Sequence, residues 1–205
     1  NITVYDNLSF GGDALISFIG KPNFTFIKGD VRDFTLLESS IKKADVIIHL
    51  AAIVGFPACR QNPALAEDVN VNGAINIVKT SSKDQLIIGA STGSNYGDLF
   101  NEVCTEDTPL KPLSLYGVTK TKAEEVIHES GRAINYRFAT AFGLSPRLRL
   151  DLLINDFVYN AVKTKNLIIY EKHFYRTFIH VYDIGQSILF ALKNYEKMIG
   201  NIYNV

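Results

Sequence analysis

Short runs rich in β-branched and aromatic residues recur along the chain, alternating with stretches of helical pattern. They are "NITVYD" (1–6), "FTFIKGD" (24–30), "DVIIHLAA" (45–52), "QLIIGAST" (85–92) and "AINYRFA" (133–139). Each is apolar nearly throughout, the pattern of a strand covered on both faces in a parallel sheet. The stretches between supply the covers. "DFTLLESSIKK" (33–43) opens on an aspartate cap and sets Phe34, Leu37 and Ile41 along one face. A second helix is expected over 63–82, "PALAEDVNVNGAINIVKTSS". A third, "SLYGVTKTKAEEVIHES" (114–130), begins at a serine cap, turns Glu124 and Glu125 outward and ends near Gly131. Strand–helix alternation predicts right-handed crossovers and a doubly wound α/β fold with a parallel sheet. After about residue 143 the alternation loosens into a helix over roughly 151–164, a short strand and a helix over 182–195. Residues 1–142 therefore read as the sheet domain, and 143–205 as a smaller region beside it that partly returns to it.

Composition narrows the partners. With 21 basic and 21 acidic residues, no stripe of charge suits a nucleic acid. Cys59 and Cys104 make no disulfide framework and lack metal-ligand spacing, so no metal is expected and a reducing, cytoplasmic setting fits. No apolar run approaches the ~18 residues that read as a membrane span.

In an open parallel sheet, sites form beyond the carboxyl ends of the strands. Asp6 and Asn7 follow the first run, Asp30 the second, "HLAA" closes the third and "STGSNYG" the fourth. A carboxylate at a strand end can accept ribose hydroxyls and repels a 2′-phosphate, so Asp6 points to NAD over NADP. Ala51 and Ala52 are small enough for close approach of a cofactor. Tyr116 and Lys120, four apart, share one helix face, where an ammonium can stabilise a phenolate. Tyr159 and Lys163 have the same spacing, and spacing alone does not separate the two pairs.

The segments "VYDNLSFGG", "FIKGDVRD", "VIIHLAA", "DVNVNGAINIV", "ASTGSNYGD", "LYGVTK", "YRFATAFG" and "RTFIHVYD" resemble, in order, those of the extended short-chain dehydrogenase/reductase family and its nucleotide-sugar epimerases and dehydratases. The resemblance implies a Rossmann-type fold, NAD as cofactor, a nucleotide-sugar substrate and Tyr116 as the acid/base, with Tyr159 structural. It implies that Lys120 holds the nicotinamide ribose and depresses the Tyr116 pKa, and that Thr92 hydrogen-bonds the reacting oxygen. Asp6, Asn7, Ser9, Asp30 and Val31 fall on adenosine-side positions, and Leu50, Ala51, Ala52 and Asn70 along the cofactor's path. Thr140 and Arg176 fall on the substrate side, Arg176 where an arginine grips the pyrophosphate. Dehydratases of this kind carry an Asp-Glu pair after the threonine; here Gly93 and Ser94 stand there, which favours epimerisation, with transient oxidation at C4. A net oxidoreductase or a dehydratase acting on a nucleotide sugar, and a non-catalytic dinucleotide sensor, are the alternatives. A homodimer through helices 63–82 and 114–130 is a further implication. The family's first strand and glycine-rich phosphate turn are expected before Asn1, and more of the substrate region after Val205, so the stretch reads as truncated at both ends.

Overall fold

The computed structural model describes residues 1–98, 103–170, 172–173 and 175–205. In chain order the elements are β1 (Ile2–Asp6), β2 (Phe24–Lys28), α1 (Phe34–Ile41), β3 (Val46–His49), α2 (Phe56–Gln61), α3 (Pro63–Glu67), α4 (Gly73–Thr80), β4 (Leu86–Thr92) and α5 (Leu115–Glu129). They continue as β5 (Ala133–Phe138), β6 (Thr140–Phe142), α6 (Leu153–Lys163), β7 (Phe178–His180), α7 (Val181–Met198) and β8 (Asn201–Asn204). Strands β3, β4, β5 and β8 form a parallel sheet in that order; β1–β2 and β6–β7 form two further parallel pairs. Among the described residues no ladder joins β1 to β3.

Two apolar layers hold the four-stranded sheet. On one face Leu37 and Ile41 of α1, Ala74 and Ile77 of α4, and Ala123 and Ile127 of α5 close over Ile47, Ile87 and Ala133. On the other, Ala191 and Met198 of α7 pack on Leu86, Ile88, Ile134 and Tyr136. Strand β4 is covered on both sides, which is why its sequence is apolar without alternation. A fully enclosed side chain such as Ile87 contributes about 1.5–3 kcal/mol by leaving water.

The predicted caps are present. Asp33 Oδ1 accepts from the Leu36 amide at 3.0 Å, and Ser114 Oγ accepts from Gly117 at 3.0 Å. The structure departs from the sequence reading in four places. Strands β1 and β2 are not covered on both faces: Ile2 and Thr3 are exposed, and among the described residues β1 pairs with β2 alone. Phe34 is 41% exposed, lying at the first turn of α1 beyond the edge of the core that Leu37 and Ile41 enter. The helix expected over 63–82 is broken by a π-turn over Asp68–Asn72 between α3 and α4, which turns Asn70 inward. Glu124 is buried, while Glu125 is exposed as expected. At 3.6 residues per turn, Glu124 lies only about 40° round the helix from Lys120, so it shares the inward face.

Candidate active site

The site is assembled where α5 begins beside the end of β4. Thr92, the last residue of β4, is buried, and its Oγ1 accepts from the Ser94 amide at 3.2 Å, starting the short turn Gly93–Tyr96. Helix α5 can approach this turn because residue 117 is glycine. A Cβ there would lie 2.9 Å from Pro112 Cβ and 3.0 Å from the Ser94 carbonyl oxygen. The preceding residue, Tyr116, is thereby brought beside Thr92.

Burial raises the Tyr116 pKa above its ordinary value; Thr92 and Arg149 act in the opposite sense, and Cys59 reinforces the rise. The protein groups thus keep Tyr116 protonated at neutral pH. Lys120 lies one helical turn away, no hydrogen bond links the two among the described residues, and desolvation is the largest influence on the phenol. Lys120 is 4% exposed, and burial pulls its pKa down to about 8 against the opposing Glu124 carboxylate. Its ammonium has no hydrogen-bonding partner among the described residues, so its donors remain for a bound group.

At the ends of β1 and β2, the expected adenosine-side residues form one latched cluster. Asp6 Oδ1 accepts from the Leu8 amide at 2.6 Å, and Asn7 Oδ1 accepts from the Ser9 amide and hydroxyl. Asn7 Nδ2 donates to Asp30 Oδ2 at 2.8 Å, and Arg32 grips the same carboxylate as a fork at 2.8 and 2.9 Å. The Arg32 fork holds the Asp30 carboxyl well below the usual carboxylate range. Val31 is buried and packs toward Gly73 of α4, so its side chain serves the core.

Beyond β3, Leu50 is 56% exposed and Ala51 and Ala52 are half-buried, leaving an uncrowded wall. Asn70 holds that wall: its Oδ1 accepts from the Ile53 amide at 2.7 Å and its Nδ2 donates to Ile53 O and Thr119 Oγ1. Its amide is committed to these protein partners and fixes the loop after β3. The π-turn makes this possible by aiming Asn70 inward.

On the far side, Thr140 opens β6 and pairs with Phe178, two residues beyond the exposed Arg176. One short ladder therefore brings these two substrate-side candidates together. The competing pair lies elsewhere: Lys163 Nζ donates to Tyr159 Oη at 2.6 Å on the exposed face of α6. There the shared spacing yields a solvated surface contact.

Two buried features escaped the sequence reading. His49, at the end of β3, is 3% exposed and its Nε2 has no partner; burial and the nearby Lys120 pull its pKa to about 3. The other is an enclosed ion pair: Arg137 of β5 donates to Glu124 through Nε at 3.0 and 3.1 Å and through Nη2 at 2.6 Å. A signal existed for it. An arginine inside a run expected to be covered on both faces requires a buried partner, and Glu124 lies on the inward face of α5.

Among the described residues no helix is long and apolar enough to cross a membrane. The match to the NAD dependent epimerase/dehydratase family covers residues 2–205. A putative UDP-glucose 4-epimerase of Methanocaldococcus jannaschii is 30% identical over 98% of this chain and 68% of its own length. The crystal structure of a UDP-glucuronic acid 4-epimerase from Bacillus cereus with UDP-glucuronic acid and NAD superposes with a TM-score of 0.86 at 25% identity, covering 100% of this chain and 69% of that one. A dTDP-glucose 4,6-dehydratase from Bacillus anthracis in complex with NAD gives 0.84 at 27% identity, covering 100% of this chain and 66% of that one. The chain thus spans about two thirds of the length of these relatives, with parallel strands, connecting helices and a Thr92–Tyr116–Lys120 cluster at their ends. It belongs to the NAD dependent epimerase/dehydratase family.

Proposed function

We propose that this chain carries the acid/base group and part of the NAD site of an enzyme that epimerises a nucleotide-activated sugar at C4. The observation that carries the reading is the convergence of Thr92, Tyr116 and the buried Lys120 at the junction of β4 and α5. NAD fits the residues present. The Lys120 ammonium is available to ribose hydroxyls, Asp6 keeps its second carboxylate oxygen without a protein partner among the described residues, and the Leu50–Ala52 wall is uncrowded. When bound, NAD would supply a positive charge and a reversible hydride acceptor, so that the hydride leaving C4 is restored to it with inverted configuration and no net oxidation results.

As the phenolate, which the Lys120 ammonium and the positive charge of bound NAD would favour against burial, Tyr116 takes the proton from the sugar O4 hydroxyl and returns it at the end of the cycle. Lys120 orients the ribose and, as an ammonium, favours the phenolate. Thr92 donates to the oxygen as charge develops on it. Gly93 and Ser94 supply no carboxylate for removing water, which supports epimerisation over 4,6-dehydration. Asp6, Asn7, Ser9 and Asp30 hold the adenosine side, Thr140 and Arg176 the substrate, and α4 and α5 provide the contact surface of a homodimer.

The test uses the intact protein with NAD and a panel of UDP-, GDP-, dTDP- and CDP-sugars, following 340 nm absorbance and product stereochemistry together. A new epimer without net NADH supports the reading. Stoichiometric NADH replaces it with a net dehydrogenase, and silence across the panel with NAD bound replaces it with a dinucleotide sensor. Tyr116→Phe is expected to abolish turnover with NAD still bound, whereas Tyr159→Phe leaves turnover unchanged.

A further inference from the structure

The Glu124–Arg137 pair is the least accessible charged cluster among the described residues, with side chains 3% and 4% exposed. Such pairs are weak contributors to stability, because desolvating both charges offsets most of their attraction, and apolar residues of similar size serve the core as well. Their position here is informative. Glu124 lies one helical turn beyond Lys120 and two beyond Tyr116. Its Oε2 also accepts from Asn95 Nδ2 at 3.3 Å, and that amide reaches Ser91 Oγ at 2.9 Å. Arg137 Nη1 donates to Tyr96 Oη at 2.8 Å and to the Glu106 carbonyl at 3.0 Å, while Tyr96 donates to Asn204 of β8. Both flanks of Thr92, Ser91 on one side and Asn95–Tyr96 on the other, are therefore tied to α5 through one carboxylate and its arginine.

We propose that Glu124, clamped by Arg137, is a positioning residue for this site: it locks α5 to the turn carrying Thr92 and places a buried anion one turn from the Lys120 ammonium. This rests on the reading that Tyr116 and Lys120 perform the chemistry. The groups that act on Lys120 are Glu124 on α5 and His49 from β3; Cys59 and Arg149 act on Tyr116, one helical turn before it. His49 is neutral above about pH 3, so Glu124 is the anion that offsets the burial of Lys120. Arg137 in turn keeps Glu124 ionised in a dry setting, through a fork that a lysine does not reproduce.

The test reads the Lys120 titration by NMR in the intact protein labelled at lysine, assigned with Lys120→Arg, alongside the melting temperature. With a Lys120 pKa of about 8, ammonium and amine are equal at pH 8. Glu124→Gln is expected to lower the ammonium-to-amine ratio at that pH at least ten-fold. The double variant Glu124→Gln/Arg137→Gln leaves neither member of the pair as an unpaired charge and is expected to shift the titration in the same direction. A lowered melting temperature with an unmoved Lys120 titration in the double variant overturns the inference, since a merely structural pair gives that result. Tyr116→Phe decides the underlying reading separately. If it turns over sugar nucleotide like the parent, the chemistry is wrongly placed, whatever Lys120 does.

Discussion

Acidification acts on this fold through His49. The imidazole is buried at the end of β3, has an unpartnered Nε2 and faces Lys120, so protonating it places a second cation in a dry site. Its pKa is about 3 in the folded chain against an ordinary 6.5. Between those values the unfolded chain binds the extra proton, so stability falls as pH falls. The contribution is whole above pH 6.5 and is lost progressively toward pH 3. At ~1.36 kcal/mol per pH unit, the loss between pH 6.5 and pH 4 is about 3 kcal/mol. That is a large part of the 5–15 kcal/mol typical of a folded domain. Urea unfolding across this range, comparing the parent with His49→Leu, isolates the effect, because the Asp30–Arg32 pair and every other acid-sensitive group is common to both. The parent should lose about 3 kcal/mol more than the variant. Parallel curves would refute the argument, showing that His49 finds a partner or solvent on protonation.

Arg137→Met leaves Glu124 buried without its cation, and urea unfolding should register a loss of about 3–5 kcal/mol, with Arg137→Met/Glu124→Leu recovering most of it. A double variant no better than the single one would show that the tie to Tyr96 and Glu106, not the charge, is what matters. Gly97 sits at φ +78°, with the Lys111 carbonyl oxygen where a Cβ would go; Gly97→Ala is expected to cost at least about 2 kcal/mol by the same assay, from left-handed strain plus displacement of the backbone. Tyr159→Phe should change stability by less than ~0.5 kcal/mol, since its hydrogen bond to Lys163 is on the exposed face of α6.

The cluster beyond β1 and β2 shows how polar residues at strand ends can be legible while their arrangement is not. Asp6, Asn7 and Asp30 stand at strand ends, where the alternating pattern puts them, yet the bonds from Asn7 and Arg32 to Asp30 required seeing β1 and β2 side by side. Asn70 was placed on the cofactor's path, but the π-turn and its commitment to Ile53 and Thr119 depend on contacts between α2–α4 and α5.

By itself the sequence determined strands β1 to β5, helices α1 and α5 with their caps at Asp33 and Ser114, the parallel α/β class and the helix face that Tyr116 shares with Lys120. Those follow from local sterics, hydrophobic period and capping chemistry, which act within a few residues of chain. The tertiary structure alone decided which Tyr–Lys pair is enclosed, that Glu124 points inward to Arg137, that His49 stays neutral, and that burial outweighs charge at Tyr116. Desolvation and ion pairing depend on what packs over a group from distant parts of the chain, and no local pattern carries that information.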